Sequence, residues 1–199
     1  IINYTAQGDV RHSWNNPSQW YQTNCIGTVN FSSELINKSY LRKYVAISTP
    51  EVFGSSPNSI IETNNFNPST PYAASKLAGD LHLMTLFKKY DFPVVFTRSS
   101  NVYGPHQQLY RIIPKTIIKI MRQEVIDLHG KGRGRRDFIN IEDVNRAIHL
   151  IINKGENGES YNIANNSNLI SIYDLVKKIS LIMEVKNWQR YIKLVDENF

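Results

Sequence analysis

The sequence holds a single cysteine, Cys25, among 199 residues. That excludes an internal disulfide framework and a cysteine-rich zinc site, and it suits a reducing compartment. Long apolar runs are missing too. The longest, such as residues 92–96 (FPVVF), are a few residues, where a membrane span needs about 18 or more. The first residues do not read as a charged-then-apolar leader, so a cytoplasmic location is the expectation. Internal repeats and low-complexity tracts are absent. What remains is 41% apolar and 20% charged, a globular rather than a disordered balance.

The net charge of +6 suits an anionic partner without naming it. Most basic pairs are scattered, as at Arg42-Lys43, Lys88-Lys89 and Lys177-Lys178. The one tight group is Lys131, Arg133, Arg135 and Arg136. No nucleic-acid recognition motif accompanies it, and neither a nucleic acid nor a membrane is expected as a partner.

Both ends read as those of a piece cut from a longer protein. Residues 1–6 (IINYTA) open on a β-branched run with no turn or helix start before it, expected to be a buried strand. Residues 191–195 (YIKLV) read as another strand close to the last residue. Between these, strands and helices alternate. Residues 43–48 and 92–98 have the nearly continuous apolar character of strands buried on both faces. Asn16-Pro17 starts a helix expected to run to about Ser33, with Trp20, Tyr21, Asn24, Thr28 and Phe31 at helical spacing. Thr70 as N-cap and Pro71 at the first helical position start another. It should run to about Tyr90, with Leu77, Leu81, Met84 and Phe87 on one face.

This alternation predicts an α/β fold: a parallel sheet covered by helices on both faces, over residues 1–105. Residues 106–199 should form a smaller mixed α/β region, with some elements returning to the sheet. Its expected helices cover 112–123, then 141–154 capped by Asn140 and stopped by Gly155. A third follows a capping box of Ser171 and Asp174. A short strand fits near 160–163.

Three stretches carry chemistry. Tyr72-Ala73-Ala74-Ser75-Lys76 puts a phenol and an ammonium four residues apart, on one helix face. A nearby cation favours the phenolate and fits Tyr72 for general acid or base work. Alone, Tyr-x-x-x-Lys is a pattern that chance produces often. Residues 47–54 (ISTPEVFG) follow a strand, at the edge where open parallel sheets bind ligands. Thr49 offers a hydroxyl there and Glu51 a carboxylate. Residues 98–105 (RSSNVYGP) follow the next strand, with Asn101 available to a ligand.

Taken together, these motifs resemble the extended short-chain dehydrogenase/reductase family and its NAD-dependent epimerases and dehydratases. The resemblance continues through residues 130–139 (GKGRGRRDFI), 142–144 (EDV) and 161–163 (YNI). It extends to Asn3-Tyr4-Thr5-Ala6-Gln7 and to Thr23-Asn24-x-x-Gly27-Thr28. It is nearest to the nucleotide-sugar 4,6-dehydratases, whose best-known members act on dTDP-glucose. It implies a partial Rossmann-like sheet with a small substrate-binding region, NAD as cofactor, and a nucleotide-diphosphate sugar as substrate.

The resemblance also implies roles. Tyr72 takes the proton from the sugar 4-hydroxyl as C4 gives hydride to NAD, Lys76 holds the nicotinamide ribose, and Thr49 bonds the same sugar oxygen. Asn24 is the structural fourth member of the catalytic set. Glu51 removes the C5 proton before water leaves C6. Thr5, Ala6, Gln7, Tyr72, Lys76 and Ser99 contact NAD. Arg136 and Asn101 contact the substrate diphosphate, and an arginine fork suits phosphate oxygens. Arg133 and Arg135 have no such match and read as a solvated loop. The helices starting near Pro17 and Pro71 are expected to pair in a homodimer, with Trp20, Tyr21, Leu77, Leu81 and Met84 either at that interface or in the core.

Two departures stand out. Dehydratases of dTDP-glucose carry an Asp after the Thr as acid for the leaving water, where this chain has Pro50. Decarboxylation of a UDP-glucuronate or sugar 4-epimerisation is the runner-up on that account. The family's Gly-x-x-Gly-x-x-Gly turn, which binds the cofactor pyrophosphate, is not in this sequence, and a non-catalytic binding remnant is the reading from another class.

Overall fold

The computed structural model describes residues 1–56, 60–165 and 169–196. In chain order come β1 (Ile2–Asn3), α1 (Pro17–Tyr21), a π-helical turn (Gln22–Ile26), α2 (Gly27–Ser33), β2 (Tyr44–Ile47), a 3-10 turn (Pro50–Phe53) and α3 (Pro71–Tyr90). Then follow β3 (Val94–Ser99), β4 (Asn101–Tyr103), α4 (Ile112–Met121), β5 (Ile126–His129), β6 (Arg135–Arg136), β7 (Phe138–Asn140) and α5 (Ile141–Lys154). The last elements are β8 (Ser160–Ile163), β9 (Ile170–Ser171), α6 (Ile172–Ile182) and β10 (Ile192–Val195). Two units result: residues 1–100 with 143–163, and residues 101–142 with 164–199.

The first unit is built on a parallel sheet in the order β1-β2-β3-β8. Its middle strands are as apolar as their position demands: Tyr44, Val45, Ala46, Val94, Val95 and Phe96 are all buried. Tyr44, Ala46, Val94 and Phe96 pack with Leu83 and Leu86 of α3 into the core. The opening residues differ from expectation. β1 is two residues long, pairs with β2, and leaves Ile1 and Ile2 exposed. A strand with one neighbour among the described residues has no second partner or layer to bury it.

The helix expected over 17–33 is helical throughout but is interrupted by the π turn. A π turn adds one residue to a helical turn and is found at functional sites. Here it carries Asn24, which is buried.

Helix α3 begins where its signals place it. The Thr70 hydroxyl accepts from the Ala73 N–H (3.1 Å) and Pro71 occupies the first turn. Asp91 ends it in the left-handed conformation, with Lys88 and Lys89 in the last turn, where cations complement the helix dipole. Of the face expected to be buried, Leu77 is buried and Met84 and Phe87 pack against the core, but one residue departs and polar positions join. Leu81 is exposed, while Ala73, Ser75, Leu77, Gly79, Asp80, Leu83 and Leu86 are buried. The buried stripe runs through polar positions, and apolar periodicity does not see those.

In the second unit, β5 and β10 pair in parallel, with Ile126 opposite Ile192. Ile126 and Leu128 join Ile120 and Val176 in its core. β5 was not expected from the sequence, although its alternation of buried and exposed residues is that of a half-buried strand. The Ser171–Asp174 capping box forms, with the Ser171 hydroxyl accepting from the Asp174 N–H (3.0 Å). Helix α4 ends at Met121, short of the expected Gln123, which lies at φ 57°.

Candidate active site

Strand β2 delivers the site's first residues to the C-terminal edge of the sheet, where ligands of open α/β folds bind. Thr49 is buried and caps the 3-10 turn, its hydroxyl accepting from the Glu51 N–H at 3.3 Å. Pro50 fills the turn's first position, a place suited to a residue without an N–H. Glu51 follows and is exposed, while Val52 and Phe53 turn inward. Gly54 then folds back at φ 72°, and a Cβ there would lie 2.3 Å from the Asn67 carbonyl oxygen. The Asn67 N–H donates to the Val52 carbonyl (2.9 Å) and closes the loop.

Helix α3 carries Tyr72 and Lys76 one turn apart, both half-buried. The Lys76 ammonium donates to the Ile47 carbonyl at 2.8 Å, tying the helix to the end of β2. Burial pulls the Lys76 pKa below its ordinary value, and the Asp80 charge opposes that pull.

Asn24 has a different task from the residues that face a ligand. Its Oδ1 accepts from the Gln7 N–H (2.8 Å), and its Nδ2 donates to the Gln7 carbonyl (3.1 Å) and to the Ser75 hydroxyl (3.0 Å). Ser75 in turn donates to the Tyr72 carbonyl (2.8 Å). Gln7, Asn24, Ser75 and Tyr72 thus form one bonded chain, from the loop after β1 to the first turn of α3. Thr5 and Ala6 are exposed in that loop, and Ser99 ends β3 half-buried. A cavity of ≈ 10 Å³ lies among Asn3, Asn24, Lys76 and Asp80, about the room one water needs.

In the second unit Asn101 and Arg136 are both exposed. The Asn101 backbone N–H and its side-chain amide both donate to the Asp137 carbonyl (3.1 and 3.0 Å), next to Arg136. Arg136 donates to the Arg135 carbonyl (2.9 Å). Arg135 is more than a solvated loop residue. Its guanidinium donates twice to the Leu169 carbonyl (3.2 and 2.7 Å) and binds β6 to β9.

Four residues that bear on the site were not singled out from the sequence for a role: Ser48, Ser75, Asp80 and Arg98. Asp80 stands four residues after Lys76, an ion-pair spacing on a helix, and that was the available signal. Among the described residues no group of three His, Cys, Asp or Glu is placed to hold a metal. None of the described helices is long and apolar enough to cross a membrane.

Similarity to known proteins follows the same residues. The family model described as NAD dependent epimerase/dehydratase family matches residues 1–164. A mouse protein named dTDP-D-glucose 4,6-dehydratase is 34% identical over 202 aligned positions, covering 96% of this chain and 56% of the mouse protein. The chain therefore spans about half the length of the curated relatives it matches. The crystal structure of dTDP-glucose 4,6-dehydratase from Bacillus anthracis, in complex with NAD, is 31% identical with a TM-score of 0.87, covering 100% of this chain and 60% of that one. UDP-glucuronic acid 4-epimerase from Bacillus cereus, solved with UDP-glucuronic acid and NAD, is 25% identical with a TM-score of 0.89 over 98% of this chain and 62% of that one. The Thr49 edge and the Tyr72–Lys76 helix lie inside the matched region, beside the parallel sheet, and the chain belongs to the NAD dependent epimerase/dehydratase family.

Proposed function

We propose that this chain is part of a nucleotide-sugar 4,6-dehydratase. The observation that carries this reading is Glu51. It is exposed at the ligand edge of the sheet, two residues from Thr49, on a turn anchored by buried Val52 and Phe53. A 4-epimerase moves hydride at C4 alone and has no use for a base at C5, whereas elimination across C5 and C6 requires one.

The residues present fit the nicotinamide end of NAD. Lys76 and Tyr72 offer an ammonium and a phenol at the edge where dinucleotides lie, and exposed Thr5 and Ala6 adjoin Gln7, which Asn24 fixes in place. When bound, NAD supplies the acceptor for hydride from C4 and its return to C6. Tyr72 takes the 4-hydroxyl proton as the C4–H bond breaks. Lys76, held at Ile47, orients the nicotinamide ribose and favours the phenolate by its charge. Thr49 donates to the sugar O4. The resulting 4-keto group acidifies C5–H, Glu51 accepts that proton, and the C6 hydroxyl departs as water.

Pro50 has no proton to give the leaving hydroxyl. Glu51 therefore passes its newly gained proton to that group, so that one carboxylate serves both sides of the elimination, and a proton from solvent is taken up at C5 as hydride returns to C6. Arg136 pairs with the substrate diphosphate, and Asn101 supports it. Tyr21 and Leu81, exposed on the two long helical segments, are the contacts for a second copy, while buried Trp20 and Leu77 belong to the core.

The test is product analysis. The intact native polypeptide is incubated with NAD and, separately, dTDP-glucose, UDP-glucose and UDP-glucuronate. A 4-keto-6-deoxy sugar 18 Da lighter than its precursor is the expected product, by elementary mass balance for lost water. Carbon dioxide from UDP-glucuronate would favour the decarboxylase reading, which Pro50 permits because that reaction has no leaving hydroxyl to protonate. An epimer of unchanged mass would remove the role given to Glu51.

A further inference from the structure

Two ionisable groups in the first unit are buried and are not used by the chemistry above. Asp80, on α3, is 6% exposed, and Arg98, on β3, is 4% exposed. The Arg98 Nη2 donates to the Asp80 Oδ2 at 3.5 Å, and the Ser48 hydroxyl donates to the same oxygen. The remaining Arg98 nitrogens, Nε and Nη1, have no acceptor among the described residues. They lie among aromatic rings instead: the guanidinium carbon is 5.1 Å from the Phe53 ring centre, 5.4 Å from that of Phe66 and 5.9 Å from that of Phe96. Phe53 and Phe66 stack on each other at 5.8 Å.

Stability alone is a poor reason for this pair. Desolvating two charges costs as much as their attraction returns, and apolar replacements of buried pairs are often neutral or stabilising. The pair's connections suggest another reason. Asp80 is one turn from Lys76 on the same helix. Ser48 directly precedes Thr49, and Phe53 closes the turn that carries Glu51. Asp80 and Arg98 therefore touch each segment that bears a reactive group in this unit.

We propose that Asp80 is a positioning residue, the buried counter-charge that keeps the Lys76 ammonium protonated beside Tyr72, with Arg98 and Ser48 holding its carboxylate in place. The groups facing Lys76 make the need plain. From α3 comes Asp80, which lines the same small cavity as Lys76; Arg98 on β3 bonds Asp80, and the Glu62 charge also acts on Arg98. The end of β2 gives the Ile47 carbonyl and the π turn gives Asn24, both uncharged, while Glu51 stands on the exposed 3-10 turn. Without Asp80, Lys76 loses the charge that opposes its desolvation. Burial then favours loss of the lysine proton, and with it the charge that stabilises a Tyr72 phenolate. Burial also raises the Asp80 pKa, and Ser48, Lys76 and Arg98 oppose that rise. This inference rests on the roles proposed for Tyr72 and Lys76, but its test reads a proton rather than turnover, so the two fail separately.

The chain is labelled with 13Cε-lysine, and the Lys76 signal, assigned by its loss in Lys76→Arg, is followed against pH. In Asp80→Asn the Lys76 midpoint should fall by about one pH unit or more, roughly a tenfold change in protonation. Asp80→Glu keeps the charge and should recover at least half of that fall. A midpoint that does not move in a folded Asp80→Asn chain overturns the proposal, and so does a Glu variant that matches Asn. Should Asp80→Asn not fold, the unaltered chain decides: the Asp80 13Cγ shift must be that of a carboxylate throughout the Lys76 titration, and a neutral carboxyl at pH 7 overturns the idea.

Discussion

Two glycines on helices of the first unit offer a sharp test of how α3 meets the π turn. A Cβ on Gly79 would lie 2.6 Å from the Asn24 carbonyl oxygen and 3.4 Å from the Thr28 hydroxyl. A Cβ on Gly27 would meet only the Gln22 carbonyl oxygen, at an ordinary 3.5 Å. Both substitutions to alanine gain helix propensity, about 1 kcal/mol each. Gly27→Ala keeps that gain. Gly79→Ala must open the contact by most of an ångström against backbone, and overpacking of that kind costs about 1–3 kcal/mol. The two variants should therefore differ by about 1–3 kcal/mol, with Gly27→Ala above the parent and Gly79→Ala at or below it. For a chain of this size that is a gap of about 2–12 °C in Tm, read by circular dichroism. The carbonyl under pressure belongs to Asn24, whose side chain clamps Gln7. The amide resonance of Gln7 should therefore shift in Gly79→Ala and stay in Gly27→Ala. Equal rises in Tm for both variants would refute the close approach, and an unmoved Gln7 resonance would refute its link to the loop.

The site itself makes further predictions. Tyr72→Phe removes the proton acceptor for the sugar hydroxyl and should lower kcat by about 10²–10⁴-fold, with substrate binding by calorimetry little changed. Glu51→Gln should abolish both product release and exchange of the C5 proton with deuterated solvent, measured by NMR; exchange at the parent rate would assign the base elsewhere. The His82 pKa is lowered by burial, so the unfolded chain binds more protons below the unperturbed value of about 6.5. Stability should therefore fall as pH drops through that region, and the fall should be smaller in His82→Gln, as denaturant melts at pH 7.5 and 5.5 would show. The 199-residue chain lacks the Gly-x-x-Gly-x-x-Gly turn and should bind NAD weakly, whereas tight saturable binding by calorimetry would contradict the need for that cradle.

The parts of the fold legible in the sequence were those set by local rules. The Thr70-Pro71 start of α3, the Ser171–Asp174 box and the central strands β2 and β3 rest on capping chemistry and on continuous apolar runs. All four form as their residues dictate. The illegible parts depend on neighbours distant in sequence. Ile1 and Ile2 are as apolar as any core residue, yet their exposure is set by which strands flank β1. Leu81 sat at helical spacing with Leu77, but α3 turns Asp80 and Leu83 inward instead.

The same contrast separates two kinds of site residue. Thr49, Glu51, Tyr72 and Lys76 are legible through short motifs and the resemblance those carry together, because their geometry is local: a strand end, a tight turn, one helical turn. The family resemblance names Asn24, and Asp80 offers its spacing from Lys76, but neither signal shows the partners that each one holds. Asn24 is buried by a π turn that no short pattern marks, and it acts on Gln7 and Ser75, 17 and 51 residues away. Asp80 acts on Ser48 and Arg98 from 32 and 18 residues away. A buried polar side chain is costly unless its partners are in place, so each of these residues specifies an arrangement of several segments at once. Reactive groups, and Asn24 among those that position them, can be named from a motif, but what a positioning group holds is seen only where separate segments converge on a satisfied polar side chain.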